Sequence, residues 1–166
     1  VPLFWKYEEA PAPAPLARYV AAFWQMSGRS PLDTGATHRV LPDGCMDVVF
    51  VLGAVREVSF VGTMTTALSV RLSPELDGFG IRFRPGGAAP WLRIPADELT
   101  DSSIDMHDCP LRAPQSLIDA LAAAPSLATR VRLASEWLLR SDRRDPDQLS
   151  VYAAARLFAR EQQSVS

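Results

Sequence analysis

Two groups of charged residues beside turns carry whatever chemistry this chain performs. Arg39 leads into Val40-Leu41-Pro42-Asp43-Gly44-Cys45, and Asp47 then interrupts the apolar run Met46 to Leu52. Arg82 and Arg84 stand in Gly80-Ile81-Arg82-Phe83-Arg84-Pro85-Gly86-Gly87. A carboxylate inside an apolar strand is costly to bury without a partner. An arginine is the natural partner, because its fork meets a carboxylate through two bonds. Asp47 is therefore expected to pair with Arg82 or Arg84, or to cap the Pro42-Asp43-Gly44 turn. An arginine that also faces a pocket would orient an anionic ligand, with Trp24 as an apolar wall. The candidate ligand-binding residues are Trp24, Arg39, Asp43, Asp47, Arg82 and Arg84. The competing reading is a structural salt bridge, or arginines on a solvated face.

Catalytic patterns are absent from the sequence, so no catalytic residue is assigned and the chain is not read as an enzyme. His38 and His107 are the two histidines. A metal enzyme gathers several His and a carboxylate. No His-x-His or Cys-x-x-Cys pair exists, and the spacing of His38, Cys45, His107 and Cys109 has no metal signature. Asp43, Asp47, Asp101 and Asp105 would serve as acid and base only if paired. Each lies near a turn or a strand end, where Asp caps backbone N–H groups. There is no nucleophile elbow and no phosphate loop, so neither a metal nor a cofactor is expected.

The composition bounds the partners. The chain has 166 residues, enough for one domain with a core. Its formal net charge is −2, from 17 basic and 19 acidic residues. Binding duplex DNA needs clustered Lys and Arg that displace counterions. Here the arginines are scattered, and the adjacent pair Arg143-Arg144 is flanked by Asp142 and Asp145. Two cysteines make no disulfide framework, which favours a reduced, cytoplasmic protein. No apolar stretch reaches the roughly 18 residues of a membrane span, and no signal peptide is apparent.

The elements that must position the charges follow from periodicity. Leu3, Phe4, Trp5 and Tyr7 suggest a short strand before the proline-rich 10–15 segment. Leu16, Tyr19, Val20, Phe23 and Trp24 recur at helical spacing, predicting a helix from Leu16 to Met26. Ser27 to Thr37 reads as a polar loop. Strands are predicted at Met46 to Leu52, Val55 to Val61, Ala67 to Leu72 and Phe79 to Phe83. Leu68, Val70 and Leu72 share one face, as do Phe79, Ile81 and Phe83. Glu75-Leu76-Asp77-Gly78 reads as the turn between the last two strands. The short connections favour antiparallel pairing, with the sheet closing to hide its edges. Ala88 to Arg93 suggests one helical turn. Helices follow at Pro114 to Ala123 and Ser126 to Arg140, the latter with a Leu127, Val131, Ala134, Trp137 and Leu138 stripe. A last helix is expected from Asp145-Pro146 to about residue 162.

The ordered motifs resemble the N-terminal domain of a subgroup of AraC-type bacterial transcription regulators. Arg39-Val40-Leu41-Pro42-Asp43-Gly44, Phe60-Val61-Gly62, Gly80-Ile81-Arg82-Phe83-Arg84-Pro85-Gly86-Gly87-Ala88 and Glu98-Leu99-Thr100-Asp101 carry the likeness. The resemblance implies an α+β fold: a cupin-like antiparallel β-barrel or strongly curved sheet, with an N-terminal helix and a helical C-terminal part. It implies a regulatory domain over 1–144, β-rich to 87 and helical from 88. Residues 145–166 would be a linker and the first helix of a DNA-binding domain. That domain, with two helix-turn-helix units, is expected beyond this chain, so DNA contact comes only through it. A small-molecule effector and a homodimer are the expected partners, and no membrane is. The alternatives are a metal-dependent barrel enzyme and a purely structural dimerisation module.

Overall fold

A computed structural model of the chain describes residues 4–29, 36–92, 94–109 and 111–141. The predicted helix from 145 lies outside them. In chain order the strands are β1 (Phe4–Ala10), β2 (Val20–Arg29), β3 (Ala36–Val40), β4 (Met46–Leu52), β5 (Arg56–Val61), β6 (Leu68–Leu72), β7 (Glu75–Phe83) and β8 (Ser103–Asp105). A short 3-10 helix, Ala96–Leu99, precedes β8, and α1 (Gln115–Ala123) and α2 (Leu127–Ser141) follow it. Six strands form one antiparallel sheet in the order β1-β2-β7-β4-β5-β8, and β3 and β6 form a separate two-stranded ribbon. The described residues thus give a mixed α+β fold with an open sheet, edged by β1 and β8, rather than a closed barrel.

One face of the sheet makes the core. β4 alternates strictly: Met46, Val48, Phe50 and Leu52 are buried, and Asp47, Val49 and Val51 face the other way. β7 sends Phe79, Ile81 and Phe83 into the same core, where each is fully buried. The rings form a chain of contacts. Phe23 stacks near Phe79 at 6.2 Å, Phe50 lies 5.9 Å from Phe79, and Trp137 of α2 meets Phe50 edge-on at 6.1 Å. Further along, Phe83 and Tyr19 lie 5.5 and 5.3 Å from Trp91. The predicted α2 stripe holds, with Ala134, Trp137 and Leu138 buried against the sheet.

The predicted Leu16 to Met26 helix is corrected to a turn followed by β2. Its helical spacing has two sources. Leu16, Tyr19 and Val20 belong to a single hydrogen-bonded turn, closed by Val20 N–H donating to the Leu16 carbonyl at 2.8 Å. A bulge between Val20 and Ala22 then puts Val20 and Phe23, three apart, on the same face. Together they imitate an i, i+3, i+4 pattern in extended chain. β2 also continues through Arg29, into the predicted polar loop.

Glu75-Leu76-Asp77-Gly78 is likewise not a turn but the first half of β7, paired from Glu75↔Arg29 to Gly78↔Met26. The reversal falls at Ser73-Pro74 instead. Asp77 serves another purpose in the strand. The Arg130 guanidinium donates to both Asp77 carboxylate oxygens at 2.7 Å, and its Nε–H donates to the Leu121 carbonyl at 3.1 Å. This clamp fixes α2 to the core face. β6 forms where predicted but pairs with β3 rather than β7, and Leu68 and Val70 remain 40% and 37% exposed on the ribbon. β8 adds a strand to the predicted helical part, held by Phe60↔Ile104 pairing.

The arginine motif ends as the fold requires. Arg84 N–H donates to the Tyr19 carbonyl at 2.8 Å, and Gly87 packs so closely that a Cβ would lie 2.2 Å from that same oxygen. Only glycine fits there. Gly87 is thus explained by chain packing, and Gly86 before it by a left-handed turn at φ 70°.

Candidate functional site

The face opposite the core carries the charged residues. Antiparallel pairing places Arg82 of β7 directly across from Asp47 of β4, while Trp24 of β2 lies across from Gly80. Trp24 Nε1–H donates to Asp47 Oδ1 at 2.8 Å. The same oxygen lies 3.5 Å from Arg82 Nε, within ion-pair range but beyond a good hydrogen bond. Gly80 makes the arrangement possible. A Cβ on it would stand 2.0 Å from Trp24 Cε2, so the indole lies flat on bare backbone.

Two further carboxylates converge on Arg82. Asp43 Oδ2 lies 3.7 Å from its Nε, and Glu9 Oε1 lies 3.6 Å from its Nη1. Arg82 Nε is buried and makes no hydrogen bond. Tyr7 of β1 completes the group. Its ring stacks on Trp24 at 6.3 Å with an interplanar angle of 27°, and its hydroxyl donates to Glu9. Asp43 also caps its own turn by accepting Cys45 N–H at 2.9 Å.

Residues 8–105 match the domain of unknown function DUF6597, which covers more than half of the chain. The chain belongs to this family. No curated protein and no solved structure matches it. The DUF6597 match spans the Trp24, Asp43, Asp47 and Arg82 positions and every strand that carries them.

Four of the six predicted site residues therefore come together in the DUF6597 domain: Trp24, Asp43, Asp47 and Arg82. The other two do not. Arg84 Nε–H donates to the Ala17 carbonyl at 2.9 Å, which makes it a tie for the turn before β2. Arg39 sits exposed on the ribbon, paired in register with Ser69. Tyr7 and Glu9 were not legible as site residues. Their signal is their parity: at positions 7 and 9 of a strand they share a face, and only the β1–β2 register puts that face beside Trp24.

Burial and charge set the protonation of this cluster. Burial pushes the Asp47 carboxyl above its ordinary range, against the Trp24 hydrogen bond and the Arg82 charge, which favour the anion. Tyr7 is pushed up to about 12, by burial first and then by its bond to Glu9. The Cys45 thiol is pushed up to about 12, by burial and then by the Asp43 and Asp47 charges. Burial disfavours the charged Arg82, but Asp47, Tyr7 and Asp43 outweigh it and hold the guanidinium more firmly protonated.

The Asp47 shift has a measurable consequence. Its carboxyl holds a proton more tightly in the folded than in the unfolded chain. The stability it contributes is therefore complete below its unfolded value of 3.8 and is lost as pH rises through the folded value. Asp47→Asn keeps an acceptor for Trp24 and removes this dependence. Urea midpoints of both proteins are expected to show the native chain losing stability relative to the variant as pH rises above the unfolded value of 3.8. Parallel pH profiles would refute the assignment.

The other predicted Asp caps are present. Asp101 accepts Thr65 N–H at 2.7 Å, and Asp105 accepts His107 N–H at 2.8 Å. Among the described residues, no group of three or more His, Cys, Asp or Glu side chains is placed to hold a metal ion. Among them, no helix is long and apolar enough to cross a membrane. A separate open groove of about 460 Å³ lies at the other end of the sheet, lined in part by Gly28, Val51, Val55 and Leu76. It touches none of the six predicted residues.

Proposed function

We propose that this DUF6597 chain is the regulatory domain of an AraC-type transcription regulator. It senses a small effector on the Trp24–Asp47–Arg82 face and passes the change, through α1 and α2, to a DNA-binding domain. The sheet is read as one wall of a cupin-like barrel, with the β3–β6 ribbon as part of the facing wall. The observation that carries this reading is the division of labour between the two sheet faces. One is filled by Phe23, Phe50, Phe79, Ile81 and Phe83 and covered by helices. The other holds an arginine, three carboxylates and two stacked rings, drawn from β1, β2, β4, β7 and the loop before β4. Structural salt bridges rarely need an aromatic step and a glycine cut away beneath it.

A dimerisation module is the second reading, favoured by the exposed Leu68 and Val70 on a two-stranded ribbon. Ribbons of two strands are marginal alone and gain from a covering surface.

Thermal melts with the small-molecule fraction of the encoding organism separate these readings. For a sensor, the fraction raises the melting temperature of the native chain and leaves Trp24→Ala and Arg82→Gln unmoved. For a dimerisation module, sedimentation shows a dimer whose melt ignores the fraction. An unmoved melt together with only monomer at high micromolar concentration removes both. With net charge −2, the chain itself is expected to give no saturable, sequence-selective complex in mobility-shift titrations at physiological salt.

A further inference from the structure

We propose that the Tyr7–Trp24–Arg82 face takes a small organic cation, an amine or quaternary ammonium, rather than an anion. This rests on the reading of that face as the effector site and adds the ligand's charge to it. Read from the arginines alone, the ligand would be an anion. The arrangement of partners reverses that. Arg82 is the one cation in the cluster, and Glu9, Asp43 and Asp47 all lie within 3.7 Å of its guanidinium. An incoming anion would compete with three carboxylates already arranged around a single positive charge.

The cluster is layered, and the layers differ in sign. The inner layer is Asp47, held by Trp24 and facing Arg82, with both side chains mostly buried. These two charges offset each other. The outer layer is Glu9 and Asp43, about half exposed, and among the described residues no second cation forms an ion pair with them. The aromatic step stands beside this layer. Tyr7 is 45% exposed, is backed by the Trp24 indole and bonds Glu9, so an aromatic side chain next to a carboxylate is open to solvent. Ring faces carry negative partial charge and attract ammonium groups, most strongly where carboxylates add to the field. Burial is the first cause that holds the Cys45 thiol protonated, and the Asp43 and Asp47 charges beside it add to the effect.

Three probes that share a phenyl ring and differ in charge decide the sign: benzyltrimethylammonium, benzyl alcohol and benzenesulfonate. Each is titrated to about 20 mM against the native chain, following the Trp24 indole N–H by NMR, with Trp24→Phe used to assign that signal. The expected result is a saturable shift with the ammonium, at least tenfold weaker affinity in the Glu9→Gln/Asp43→Asn double variant, and no saturation with the sulfonate. Both substitutions are at half-exposed positions and keep an acceptor oxygen, and an unchanged spectrum of the other indoles verifies the fold. Equal binding of ammonium and alcohol overturns the proposal, because charge would then play no part. Saturation by the sulfonate, lost in Arg82→Gln, overturns it while leaving the effector reading intact. No shift with any probe also overturns it, and the effector reading is then judged by the thermal melts alone.

Discussion

Replacing Arg130 by alanine is expected to destabilise the domain by about 3 kcal/mol or more. Its side chain is 8% exposed and makes a two-pronged bond to Asp77, another to the Leu121 carbonyl and a longer one to Gln25 Oε1 at 3.5 Å. The variant strands the Asp77 carboxylate at the edge of the core and leaves the Leu121 carbonyl with only the Ala124 N–H, at 3.3 Å. Asp77 is one-third exposed, so water recovers part of the loss, which stays at the lower end of the range for broken buried pairs. Arg130→Lys recovers only a fraction, because an ammonium cannot span both carboxylate oxygens and the carbonyl. Removing both charges, in Arg130→Met/Asp77→Leu, is expected to cost less than Arg130→Ala, since no charge is left stranded. Urea midpoints measure all three. A loss under about 1 kcal/mol for Arg130→Ala would mean that α2 is held by Trp137 and Leu138 alone.

Arg130 also marks the limit of what the sequence makes legible. Within α2 its neighbours Leu127, Val131, Ala134 and Leu138 announce their inward face by spacing. An arginine three residues after Leu127 falls on the edge of that stripe and reads as solvated. Its partner Asp77 was masked in turn by chemistry, since Glu-Leu-Asp-Gly has the composition of a turn. Both are explained only by the nine-residue length of β7, which depends on pairing with β2 and not on its own residues. β4 and the second half of β7 were legible because one covered face forces strict alternation. The pairing of Asp47 with Arg82 followed from the cost of a lone buried charge. Trp24 entered the candidate site through a helix that does not form, as an apolar wall, and its indole bond to Asp47 is visible only in the fold. Position in space came from register: Trp24 faces Gly80, and Glu9 and Tyr7 join only because β1 pairs with β2.

Gly80→Ala is the sharpest probe of that register. The added Cβ would stand 2.0, 2.2 and 2.4 Å from Trp24 Cε2, Cζ2 and Nε1. A strand position across from Trp24 in the middle of a sheet leaves the backbone little freedom to retreat, so the indole must move. Its N–H then leaves Asp47, which is mostly buried and keeps only the looser Arg82 contact at 3.5 Å. A lost hydrogen bond to a charged group costs about 1.5–3 kcal/mol, and forcing extra atoms into a packed site about 1–3 kcal/mol. The expected loss is about 3 kcal/mol or more, large for a single methyl group. Tyr7 should lose its stacking partner in the same step, raising its exposure. The double variant Gly80→Ala/Trp24→Ala separates this cause from ordinary glycine effects. With the indole gone the methyl loses its three nearest clashes, so the double variant should be much less destabilised than the sum of the two single changes. Additive losses in urea would show that the indole does not rest on Gly80. The face would then be a salt bridge with a tryptophan nearby, and the aromatic step on which a ligand would sit would not exist.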